Sequence, residues 1–74
     1  MGKDKIDILI EESKAIETVA PYSASLAICE AIALSTTHTF ADAWNVCIDS
    51  DVEKMLAKAK RLWKALSNGG DDGA

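Results

Sequence analysis

The chain has 74 residues, 49% of them hydrophobic and 27% charged, and its 12 acids and 8 bases leave a formal net charge of −4. That is one domain, and a domain of this length buries only about 60% of its unfolded surface, which excludes a large enzyme fold with a deep, dry active site. The composition also excludes disorder over most of the chain. With Tyr22, Phe40, Trp44 and Trp63 as the aromatics, the core must be aliphatic and alanine-based, which favours an all-α fold over a sheet.

Acidic Asp7, Glu11 and Glu12 break the first apolar run before it becomes a signal-peptide core, and Ile6 stands where a myristoylation signal carries Ser or Thr. Export is not expected, a cytoplasmic location is, and no run is apolar and long enough to span a membrane. Asp4 is placed to cap a first helix over residues 5–20. At 100° per residue, Ile6, Leu9, Ile10, Ile16 and Ala20 form one face. Ile8, Ala15 and Val19 form a second stripe, with Lys5 and Glu12 between the two. One stripe suffices for a surface helix, so the second is either a contact for a partner or the mark of a helix packed unevenly in a small core.

Pro21 ends that helix or starts the next, and residues 23–35 read as a second helix, apolar nearly all round apart from Ser25 and Glu30. Such a helix belongs at the centre of a bundle, where Ala24, Ala27 and Ala31 let neighbouring backbones approach closely. Glu30 is expected at the solvent rim or paired with a basic side chain. Residues 35–39, Ser-Thr-Thr-His-Thr, are a polar break, and Thr39 with Asp42 opens a short third helix over 39–48. Phe40, Ala43, Trp44, Cys47 and Ile48 share its apolar side.

Ser50-Asp51-Val52-Glu53 reads as a capping box for a fourth helix over 51–67. Its stripe of Val52, Met55, Leu56, Ala59, Leu62, Trp63 and Leu66 is the clearest periodic signal in the chain, with Lys54, Lys58, Lys60, Arg61 and Lys64 around the rest. The expectation is a compact bundle of three to four helices over residues 1–68, followed by a disordered acidic tail at 69–74.

Charge is uneven along this layout. Residues 1–50 hold eight acids and three bases, net −5, whereas residues 51–67 hold two acids and five bases, net +3. An acidic first helix and a basic last one are placed to attract each other, within the domain or between copies, or simply to complement the helix dipoles and keep the outer faces soluble.

Sites for chemistry are sparse. His38 is the sole histidine and no Cys/His spacing suits zinc. Lys54 and Lys60 stand where a calcium loop based on Asp49, Asp51 and Glu53 would need Gly and Glu. Cys29 and Cys47 are expected as reduced, partly buried thiols, with a disulfide as the alternative because a hairpin turning near Thr37 brings them within about one turn of each other. That hairpin also places His38 in the same region, as a conceivable base for a thiol nucleophile. No metal, cofactor or catalytic residue is expected.

Two family resemblances are visible. Asp49-Ser50-Asp51-Val52-Glu53 resembles the Asp-Ser motif of acyl carrier proteins, which implies a phosphopantetheine arm on Ser50, although a capping box accounts for this serine without one. Ala31, the polar turn at Ser35 to Thr37 and the following segment with Trp44 resemble a helix-turn-helix, which implies DNA binding. The would-be recognition segment, Thr37 to Asn45, carries Asp42 and no Lys or Arg, so nucleic acid is disfavoured as a partner. The expected function is non-enzymatic: a protein–protein interaction module that self-associates, a homodimer being the expected form, or binds and inhibits another protein. Ile8, Glu12, Ala15 and Val19 on the first helix and Lys54, Lys58 and Arg61 on the last are the candidate contacts.

Overall fold

The computed structural model describes residues 4–67; Asn68 and the tail at 69–74 lie outside the described residues. The protein is an all-α bundle of four helices: α1 (Lys5–Ile16), α2 (Pro21–Ser35), α3 (Phe40–Cys47) and α4 (Val52–Ser67). α2 is the hub. It packs against α1, α3 and α4, and α3 packs against α4, whereas α1 and α4 flank α2 without packing on each other.

The composition of α2 explains that position. Ala24, Ser25, Ile28, Cys29, Ala31 and Ile32 are all buried and form one broad arc, wide enough to face several neighbours at once. The main cluster joins Ile28, Cys29 and Ile32 of α2 to Ala43 and Cys47 of α3 and Ala59 of α4. Ile10, Trp44, Leu56, Leu62, Trp63 and Leu66 lie partly buried around it. Small residues at the crossings let the helices approach closely, and the largest fully buried side chains are Ile32, Cys29, Cys47 and Ser25. Ser25 is tolerated at the centre because its hydroxyl donates to the Pro21 carbonyl oxygen at 2.8 Å. Glu30 is exposed, as its charge requires.

Besides the start of α2 at Pro21 in place of residue 23 and one-residue shifts at both ends of α3, two element ends differ from the sequence expectation. The first helix stops at Ile16, not at residue 20. The residue before a proline is pushed out of the helical region, and Ala20, at φ −143° and ψ 67°, precedes Pro21 at the start of α2. The amides of Val19 and Ala20 both donate to the Ile16 carbonyl, closing a tight turn. The second difference is the cap of α4. Asp51, not Ser50, is the capping residue: its Oδ1 accepts from the Glu53 amide at 2.9 Å. Asp49 sets this up, because its Oδ1 accepts from the Asp51 amide at 3.0 Å and turns the chain one residue later than the box would. The other two caps form as read, with Asp4 accepting from the Asp7 amide at 3.2 Å and Thr39 from the Asp42 amide at 3.1 Å.

Candidate interaction surface

On α1 the side toward α2 buries Leu9 and Ser13, with Ile6, Ile10 and Ile16 half-buried beside them. Ser13 was not anticipated in this stripe; its hydroxyl donates to the Ile10 carbonyl at 2.7 Å, so it enters the apolar face without an unmet polar group. Ile8, Glu12 and Ala15 are exposed on the outer side. Ile8 retains 48% of its surface in solvent and Val19 retains 80%. Because α1 stops early, Val19 projects from the turn after it, so the helical part of the second stripe is Ile8 and Ala15 alone.

The candidate cations fall into two groups. Lys54 and Arg61 are exposed on the outer surface of α4. Lys58 is engaged within the domain, its Nζ donating to Asp49 Oδ2 at 3.0 Å and so tying the loop before α4 to its second turn. The Asp51 amide and then the Lys58 ammonium hold the Asp49 carboxyl below its usual range. Lys60 reaches Glu17, just beyond the end of α1, at 3.0 Å. Asp7 and Glu12 of α1 form no ion pair with α4 among the described residues. The opposite charges of the first and last helices are thus largely left facing solvent.

Two hollows among the described residues flank α4. One, about 410 Å³, runs between α3 and α4 along Val46, Lys58, Arg61, Leu62 and Ala65. The other, about 320 Å³, fills the gap between α1 and α4, with Ile28 of α2 in its lining.

Cys29 and Cys47 are both free and fully buried in the same cluster. Burial foremost, and then the neighbouring Cys47, pushes the Cys29 thiol up to about 12, and burial raises Cys47 as well, so both are protonated and poor nucleophiles at neutral pH. His38 instead lies exposed, its Nδ1 3.3 Å from Thr36 Oγ1. Among the described residues no group of three or more His, Cys, Asp and Glu is placed to hold a metal ion, and no helix is long and apolar enough to cross a membrane. Ser50 is exposed just before α4, and α3, the counterpart of a recognition helix, exposes Ala41, Asp42, Asn45 and Val46 without a basic residue. Comparison with known proteins finds no family model, curated protein or solved structure that matches this chain.

Proposed function

We propose that this domain is a non-enzymatic interaction module that works by self-association, covering the outer stripe of α1 and neighbouring Val19 with a second copy of the chain. The observation that carries this reading is the poor use of its large apolar side chains. Ile8, Val19, Tyr22, Leu34, Phe40, Val46, Ile48 and Val52 are all exposed, while Ile32 is the largest side chain that is fully buried. A domain this small gains little from its own core, and covering such side chains in a dimer adds the missing burial.

Charge supports a second copy as the occupant. The α1 stripe is edged by Asp7 and Glu12, and α4 offers Lys54 and Arg61, so each copy carries both halves of a complementary pair. Two reduced, buried thiols suit the reducing cytoplasm, where such a module would act.

The test is solution mass by light scattering, with and without reductant, on the wild type and on Ile8→Glu/Val19→Glu. The expected result is a dimer for the wild type and a monomer of unchanged helicity for the variant, with dimer affinity lowered about 100-fold or more. Loss of helicity in the variant would show that the stripe belongs to the core. A monomeric wild type at millimolar concentration would sink self-association.

A further inference from the structure

We infer that the cleft between α1 and α4 is a binding site for a free, medium-chain alkyl carboxylate. Its walls are the two helices that do not pack on each other, and Ile28 of α2 forms part of its lining, so the gap is built into the way α1 and α4 flank the hub. Ile10, Ile28 and Trp63 give it an apolar interior, and the cleft holds about 320 Å³, the space of about ten waters. Polar groups within it are already satisfied, since buried Ser13 bonds to Ile10 and Glu17 is paired with Lys60. Such a surface does not hold water well and favours an alkyl chain.

The charge at the cleft selects the head group. Lys14 comes from the α1 wall and Lys64 from the α4 wall, and neither ammonium forms an ion pair among the described residues. Both lysines line one apolar gap, and an anion seated at its rim meets two positive charges at once. The location is a net-positive patch on a chain whose formal charge is −4. A docked helix fits less well. A single helical turn, about 10 Å across and 5.4 Å long, occupies on the order of 400 Å³, and the Lys60–Glu17 bridge spans the gap a helix would have to enter. A slender chain passes beside that bridge with its carboxylate between Lys14 and Lys64.

The experiment is a titration of the ¹⁵N-labelled full chain with sodium decanoate below its micelle-forming concentration, followed by amide and Trp63 indole shifts. We expect saturable shifts centred on Ile10, Ile28 and Trp63 with half-saturation below about 1 mM. Decanol and decyltrimethylammonium should bind more weakly. Lys14→Glu/Lys64→Glu, two exposed substitutions, should weaken decanoate about tenfold with the spectrum otherwise that of a folded chain. Shifts spread over the surface or centred on Val46 and Leu62 would overturn the assignment, as would equal binding of decanol or indifference to the double substitution. The cleft shares no residue with the outer stripe of α1, so Ile8→Glu/Val19→Glu should bind decanoate as the wild type does. Loss of binding in that variant would place the cleft within the protein contact and end the proposal, whereas retained binding stands even if the chain never dimerises.

Discussion

α1 and α4 lean on the same central helix, yet they use their apolar residues differently. α4 has one stripe, and the domain covers most of it: Met55 and Ala59 are buried, and Leu56, Leu62, Trp63 and Leu66 pack around the cluster. α1 has two, and only one is covered. Leu9 and Ser13 face α2, while Ile8 and Ala15 stay in water. The difference lies in what each helix meets. α4 touches both α2 and α3, whereas α1 touches α2 alone. A helix with a single neighbour can bury a single stripe, so the second stripe of α1 is left over by architecture and not by weak amphipathicity.

The largest expected effect comes from removing what both flanks share. Ile32→Ala takes the bulkiest fully buried side chain out of the hub helix, where it packs in the cluster with α3 and α4 residues. Urea unfolding should report a loss of about 2–5 kcal/mol, enough to leave a domain of this size barely folded. A loss below about 1 kcal/mol would mean the core is fluid enough to refill the space, and the distinction between covered and uncovered stripes would lose its basis.

A sharper probe inserts the same side chain on each flank. Ala59→Leu on α4 adds bulk at a fully buried crossing and should cost about 1–3 kcal/mol by overpacking. Ala15→Leu on the outer side of α1 meets solvent and should change monomer stability by no more than about 0.5 kcal/mol. Equal destabilisation at both positions would show that the outer side of α1 is packed after all.

Much of this contrast is legible in the sequence, for a physical reason. Helix existence follows from periodicity and caps, and both are local: Asp4, Thr39 and the stripe of α4 act through neighbours three or four residues away. The central place of α2 follows from its lack of a polar side. What sequence patterns miss depends on competition or on tertiary placement. Pro21 overrides the apolar spacing that extends to Val19 and Ala20, so a residue expected on a helix ends in a turn. Ser50 and Asp51 compete for one cap, and the Asp49 carboxylate decides between them. Ser13 looks polar but bonds to its own helix, which hides it from any count of apolar faces. The cleft beside Lys14 and Lys64 exists because α1 and α4 fail to meet, and no pattern in either helix alone encodes that.

The smallest expected effect concerns how the start of α4 is held, a local anchoring separate from the stripes. Asp49 accepts from the Asp51 amide and from Lys58, and these contacts lower its pKa below the ordinary carboxylate value in the folded chain. A folded-state pKa below the unfolded one gives stability that is present above the unfolded value, about 3.9, and is lost as pH falls through the folded one. Asp49→Asn should therefore remove part of the acid dependence of unfolding, so that wild type and variant converge as pH falls below about 4. Lys58→Met separates the two causes. The backbone amide is the largest single cause, so this variant should keep part of the wild-type pH slope while exposing more apolar surface beside Val46 and Leu62. If Lys58→Met instead flattens the slope as fully as Asp49→Asn, the ion pair and not the turn fixes the start of α4. Lys58 would then be indispensable inside the domain, and Lys54 and Arg61 would be the cations that α4 can offer to a second copy.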